Sequence, residues 1–174
     1  MHITPLDIAG AAIVELRLTG DERGFFARSF CREEFMTAGL EPFVEQANVS
    51  YNVRAGTLRG MHYQVAPAPE AKLVRCTRGR IVDVMVDMRE DSPTYLQHAA
   101  IELSEDNRRA VYVPPLCAHG YLTLVDDAEV SYQVSAPYTP SAERGLRFND
   151  PVLAIAWPAE AIIVSEKDGT WPLL

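Results

Sequence analysis

Between Gly56 and Gln64 the chain reads Gly-Thr-Leu-Arg-Gly-Met-His-Tyr-Gln, a segment too apolar for an ordinary surface loop. Glycine lets a backbone approach a ligand closely, arginine recognises phosphate or carboxylate, and imidazole moves protons near neutral pH. Arg59 and His62 therefore suit one wall of an active site, while the same residues also describe a strand with a glycine bulge and a core histidine. Partners for His62 follow from strand alternation, because positions two apart share a face. Lys72, Val74 and Cys76 fall on one face, so an inward Val74 carries Lys72 inward; if Leu73 marks the inner face, Lys72 is solvated instead. Val130, Tyr132 and Val134 form an inward row that brings a phenol to the same interior, although a structural tyrosine also fits that position. His119, beside Gly120, is placed to reach its mouth, although a lone histidine also serves as a structural residue. Imidazole, ammonium and phenol together suit proton abstraction next to a carbonyl: one group takes the proton, the cation steadies an enolate oxygen, and the phenol returns a proton.

The elements that must position these groups are mostly short strands. From Phe43 onward, apolar alternation broken by closely spaced turn signals indicates an all-β sandwich or barrel. The one helix with clear signals is Cys31 to Ala38, stopped by Gly39. Val14–Leu18 reads as a half-buried strand ahead of the polar turn 20–24. Lys72–Arg78 is expected to pair with Ile81–Met88 across the turn at Gly79, and Tyr121–Val125 with Glu129–Ser135 across Asp126-Asp127. His98–Leu103 and Arg109–Val113 form further strands, and Pro114-Pro115 ends the second of them. Val82, Val84, Val86 and Met88 make an apolar row read as inward. Later strands are expected at 146–148, 154–157 and 162–164. Two antiparallel sheets closing into a jelly roll with one or a few short peripheral helices bury these faces and leave a mouth for a ligand.

Totals set the outer bounds. A chain of 174 residues, 48% hydrophobic and 23% charged, fits one soluble domain, 1–174, able to bury a core without staples. No apolar run is long enough to span a bilayer, and the N-terminal stretch lacks the pattern of a secretory signal, so a cytoplasmic protein is expected. Cys31, Cys76 and Cys117 show neither CxxC nor zinc spacing and are expected as reduced thiols. A net charge of −8 argues against nucleic-acid or anionic-membrane partners while leaving room for a small anion in a locally basic pocket, with Arg23, Arg59, Lys72 and Arg75 as candidates.

Taken in order, these motifs closely resemble the cupin-type dTDP-4-dehydrorhamnose 3,5-epimerases of bacterial deoxysugar synthesis. The resemblance runs from Gly20-Asp21-Glu22-Arg23-Gly24-Phe25-Phe26 through Gln46-Ala47-Asn48, Leu58 to Gln64, Lys72 to Cys76, Ala118-His119-Gly120, Tyr132 and Asn149-Asp150-Pro151 to Ser165-Glu166-Lys167-Asp168. It implies a cupin-like jelly-roll homodimer acting on a nucleotide sugar, with no required metal or organic cofactor. By the same resemblance His62 is the base, Asp168 the carboxylate orienting it with Glu166 as the nearby alternative, Lys72 the enolate stabiliser and Tyr132 the proton donor. Arg23, Arg28, Gln46, Asn48, Arg59, His119, Glu143 and Lys167 are implied as substrate-binding positions.

Three departures from the family pattern bear on substrate rather than chemistry. Arg28 stands where the family usually has an acid, Ala47 where an acid is frequent, and Phe148 where tryptophan is usual. A single-carbon epimerase acting on another nucleotide sugar or a heptose is therefore an alternative, as is a non-catalytic sugar-binding cupin. A metal-dependent cupin would need clustered histidines and carboxylates, whereas Tyr63-Gln64 follows His62 and the chain has only four histidines.

Overall fold

The computed structural model describes residues 1–174. The chain begins with β1 (His2–Pro5) and β2 (Ala12–Glu15), then a detached hairpin of β3 (Thr19–Asp21) and β4 (Gly24–Phe26), then helix α1 (Arg32–Thr37). Strands β5 (Gln46–Asn52), β6 (Thr57–Gln64), β7 (Lys72–Arg78), β8 (Arg80–Asp87), β9 (His98–Ser104), β10 (Ala110–Val113), β11 (Cys117–Thr123) and β12 (Ala128–Val134) follow. The C-terminal part adds β13 (Glu143–Gly145), β14 (Ile163–Val164) and helix α2 (Glu166–Thr170).

Two antiparallel sheets face each other, one ordered β1-β2-β10-β7-β12-β5 and the other β13-β6-β11-β8-β9, with β14 added in parallel to β6. This is the expected all-β, cupin-like double-sheet jelly roll. Val74, Cys76, Met85, Val111, Tyr121 and Val130 belong to one buried cluster, to which both sheets contribute. Helix α1 is peripheral and buries Phe35, whose ring meets Tyr112 edge-on at 6.1 Å.

Several local expectations need correction. The β7–β8 and β11–β12 connections are not hairpins: β7 lies between β10 and β12, whereas β8 lies between β9 and β11. The turns do occur, with Gly79 at φ +77° and Asp127 at φ +58°. Turn chemistry reverses the chain, but the sheet each strand joins is decided by long-range partners, and here each turn carries the chain from one sheet to the other. The first strand past the N-terminal hairpin arm is also displaced, since β2 covers Ala12–Glu15 rather than Val14–Leu18.

The row Val82, Val84, Val86 and Met88 faces outward, and residues 146–157 are not strands. Leu146, Leu153, Ile155 and Trp157 pack over that row as an irregular cover. A sheet covered on both faces gives no apolar contrast between its alternate positions, which is why the row pointed the wrong way. The inner face of β8 instead carries Ile81, Asp83, Met85 and Asp87, all fully buried.

Asp87 shows how such a carboxylate is accommodated. It accepts from Arg89 Nε at 2.7 Å and Nη2 at 2.8 Å, from Ser92 Oγ at 2.5 Å and from Thr94 Oγ1 at 2.7 Å. Arg89 Nη2 also donates to the Ala9 carbonyl at 2.6 Å, so one carboxylate ties the 88–97 loop and the turn before β2 to the end of β8. Burial pushes the Asp87 carboxyl up, but the hydrogen bonds from Arg89, Ser92 and Thr94 outweigh it and hold the group far below the usual carboxylate range. With the folded value depressed, its stabilisation is present above the unfolded value of about 3.9 and is lost as pH falls through the folded one. Asp87→Ala should therefore cost about 3 kcal/mol at neutral pH. Urea titrations of both proteins should show that gap narrowing only below about pH 4; a pH-independent gap would contradict the assignment.

Candidate active site

Between the sheets lies a cavity of about 510 Å³ whose lining includes Ser50, Arg59, His62, Lys72, His119, Tyr121, Tyr132, Lys167 and Asp168. One wall comes from β6 and β11, where His62 and His119 are cross-strand partners. The facing wall comes from β7 and β12, where Lys72 lies opposite Val134 and Tyr132 opposite Val74.

Strict alternation would put Arg59 and His62 on opposite faces of β6. The register between β6 and β11 slips by one residue between His119 and Tyr121, so Gly60 and Met61 together oppose Gly120. That bulge brings both side chains to the cavity. It requires glycine: Gly60 has φ +125°, and a Cβ there would stand 2.5 Å from Gly120 Cα and 2.7 Å from the His119 carbonyl. The bulged strand and the functional wall are the same feature.

His62 Nε2 meets Asp168 Oδ1 at 2.5 Å, and Asp168 Oδ2 accepts from the Gly60 N–H at 3.2 Å. An ionised carboxylate can only accept, so Nε2 carries the proton and the Nδ1 lone pair is left free. Asp168 arrives from the far end of the chain because β14 pairs with Thr57 and Leu58 at the start of β6. Ser165 then caps α2 by accepting from the Asp168 N–H at 3.1 Å. Burial raises the Asp168 carboxyl, but the bonds from His62, Gly60 and Ser165 outweigh it and hold it below the ordinary value. Glu166, the sequence alternative, is exposed on the same helix. Trp171, just after α2, stands edge-on to His62 at 6.2 Å and fills the space over Gly145, where a Cβ would come within 2.1 Å of its ring.

Lys72 points inward and is 8% exposed. Its Nζ donates to the His62 carbonyl at 3.2 Å and pairs with Glu70 at 3.2 Å. Tyr132 is held in its neutral form: burial raises its phenol first, then Tyr121 and Glu70, against a smaller opposing effect of Arg59. His119 Nε2 pairs with the fully buried Asp83 Oδ2 at 2.7 Å. At the rim, Lys167 bonds both Glu143 oxygens at 2.6 Å, and Glu143 accepts from the Tyr138 hydroxyl at 3.0 Å. The Glu143 bond raises the Lys167 ammonium above its ordinary value. Arg59 differs from these cations, because its Nε donates to the neutral Asn52 Oδ1 at 2.8 Å rather than to a carboxylate. Its charge stays available to an anion.

Not every residue expected at the site is brought there. Arg23 pairs with Asp21 on the exposed β3–β4 hairpin, and Arg28 lies near Glu34 at 3.8 Å, both away from the cavity lining. Gln46 accepts from the Tyr138 N–H at 3.0 Å, and Asn48 is half-buried opposite Tyr132 in β5, outside the cavity lining. Arg75 points away from the cavity and donates to the Arg108 carbonyl. Sequence reasoning missed Ser50, Glu70, Asp83, Tyr121, Tyr138 and Trp171. Asp83 had a readable signal, an acid between valines in the middle of an apolar strand. No three or more His, Cys, Asp or Glu residues converge as metal ligands.

Gly60→Ala tests the link between bulge and site. The close contacts at Gly60 imply a loss of about 2–3 kcal/mol in urea unfolding, as for other overpacked positions. A variant as stable as the parent would show that the two strands are not held this tightly.

Comparison with known proteins gives a consistent result. The family model described as dTDP-4-dehydrorhamnose 3,5-epimerase matches residues 5–174. A dTDP-4-dehydrorhamnose 3,5-epimerase of Sinorhizobium fredii is 41% identical over 175 residues, covering 100% of this chain and 90% of that protein. The crystal structure of the Bacillus anthracis dTDP-4-dehydrorhamnose 3,5-epimerase with TDP and PPi bound matches with a TM-score of 0.95 at 42% identity, covering 99% of each chain. A 3'-monoepimerase from Streptomyces bikiniensis in complex with dTDP-quinovose matches with a TM-score of 0.90 at 36% identity, covering 98% of this chain and 86% of that one.

Proposed function

This chain belongs to the dTDP-4-dehydrorhamnose 3,5-epimerase family, a family of isomerases, and from that premise we propose that it converts dTDP-4-dehydro-6-deoxyglucose to dTDP-4-dehydrorhamnose. The observation that carries the mechanism is the pair of proton-handling groups on facing walls: His62, oriented by a buried carboxylate, across from a neutral Tyr132. His62 Nδ1 takes the proton from C5 or C3, both next to the C4 ketone, and the C–H electron pair moves to the C4 oxygen as an enolate. The Lys72 ammonium stabilises that oxygen. Tyr132 then gives its proton to the opposite face of the carbon, the ketone re-forms, and the centre is inverted.

Arg59, unopposed by a carboxylate, suits the diphosphate, with Lys167 at the rim beside it. His119, Glu143, Gln46 and Asn48 are read as contacts to the sugar or nucleotide. Arg23 and Arg28 stand away from the cavity, and Phe25, Phe26, Val49, Tyr51 and Val53 are exposed apolar side chains on the β3–β4 hairpin and around β5. A homodimer that covers these surfaces and carries the two arginines toward the second subunit's cavity accounts for both. Residues 1–174 are read as one epimerase domain, and three unpaired cysteines suit a cytoplasmic setting. No helix is long and apolar enough to cross a membrane.

A second reading, inversion at one carbon only, is favoured by the similarity to the 3'-monoepimerase and by Arg28 and Ala47, which depart from the family pattern. The two are separated by incubating the protein with dTDP-4-dehydro-6-deoxyglucose in deuterated water and locating the label. Deuterium at C3 and C5 supports the first reading, label at one carbon the second, and no exchange contradicts an epimerase acting on this sugar. His62→Ala should abolish exchange at every labelled carbon, a loss of at least about 10²-fold. Tyr132→Phe should let exchange continue while inversion fails, and unchanged product stereochemistry would remove Tyr132 from the donor role.

A further inference from the structure

Behind Lys72, outside the cavity lining, sits Glu70, on the connection between β6 and β7. Its side chain is only 10% exposed, and Oε1 lies 3.2 Å from Lys72 Nζ. Oε2 accepts from Gln64 Nε2 at 3.2 Å. Gln64 is itself buried and shares the His62 face of β6. Its Nε2 also reaches the Ala68 carbonyl at 3.0 Å and the Pro137 carbonyl at 3.2 Å, and its Oε1 accepts from the Thr139 N–H at 2.6 Å. A chain of bonds thus runs from the Lys72 ammonium through Glu70 and Gln64 to the segment that carries Tyr138 to the rim.

We propose that Glu70 is a positioning residue of this site, fixing the Lys72 ammonium between itself and the His62 carbonyl and joining it through Gln64 to the 137–139 segment. The inference rests on the epimerase reading above and deepens it. Lysine is a flexible four-carbon stem ending in a point charge, and ordering it costs side-chain entropy of about 2 kcal/mol. The His62 carbonyl offers one neutral acceptor. Glu70 adds an ionic one from outside the cavity, so the ammonium is located without occupying the space that substrate needs. The pairing also compensates a cation that would otherwise be buried alone. The same carboxylate helps to keep the Tyr132 phenol protonated, so one buried acid acts on both groups that meet the enolate.

Glu70→Gln keeps the size and hydrogen-bonding outline and removes the charge. Two measurements decide the proposal: steady-state kinetics on dTDP-4-dehydro-6-deoxyglucose, and a crystal structure of the ligand-free variant. The expected result is a kcat lowered roughly 10- to 100-fold, as for a misplaced catalytic group, with KM within about twofold and a lowered melting temperature, since Lys72 loses its ionic partner. In the crystal, Lys72 Nζ should have left the His62 carbonyl. An unchanged kcat would overturn the proposal, and so would a Lys72 Nζ still seated on that carbonyl, whatever the rate. If E70Q does not fold, Glu70→Asp, which keeps the charge and withdraws it by one methylene, is held to the same outcomes. Wild-type protein that leaves the sugar unchanged would instead defeat the epimerase reading, and the Lys72 position in the variant would still decide whether Glu70 holds it.

Discussion

The hydrogen bond between His62 and Asp168 depends on two unrelated parts of the chain meeting at one bulge. The β6–β11 register slip turns His62 and Arg59 into the same cavity, and the parallel pairing of β14 beside the start of β6 delivers Asp168 to the same place. The Gly60 N–H donates to the carboxylate that orients His62, so the bulge also helps to hold the acid paired with that histidine. Trp171 and Gly145 then pack the His62 ring from the side. The imidazole sits where backbone, carboxylate and indole all constrain it.

The electrostatics of the cavity follow one rule with one exception. The protein has a net charge of −8, yet basic side chains line the site. Each histidine has its own buried acid, Asp168 or Asp83, and each lysine its own glutamate, Glu70 or Glu143. Such pairs cost less to bury than isolated ions and fix geometry rather than adding much net stability. Arg59 is the exception, anchored by a neutral amide, which leaves its charge for an incoming anion. The protein can thus be acidic as a whole and still present an unneutralised cation to an anionic ligand.

The double-sheet jelly roll was legible in the sequence, and Tyr132 could be placed inward with Val130 and Val134; Lys72 stayed open between two faces because Leu73 is also buried, against Phe35 on the other side of β7. β8 was misread because residues 146–157 cover its outer face, so both faces are apolar and the true inner row contains Asp83 and Asp87. The false hairpins had a similar origin: the turn residues at Gly79 and Asp127 are local, whereas the choice of sheet is not. The pairing of Asp168 with His62 entered only through resemblance, since no local pattern links residues 106 positions apart. Glu70 was missed because its partners, Gln64 and the 137–139 segment, come together only in the folded chain.

The central claim is that the carboxylate of Asp168 makes His62 a base. Asp168→Asn preserves shape and removes the charge that fixes the tautomer, and the rate of solvent deuterium entry into dTDP-4-dehydro-6-deoxyglucose measures the base directly. The account predicts a fall of roughly 10²- to 10⁴-fold with dTDP binding by calorimetry unchanged. Exchange at the parent rate would contradict it.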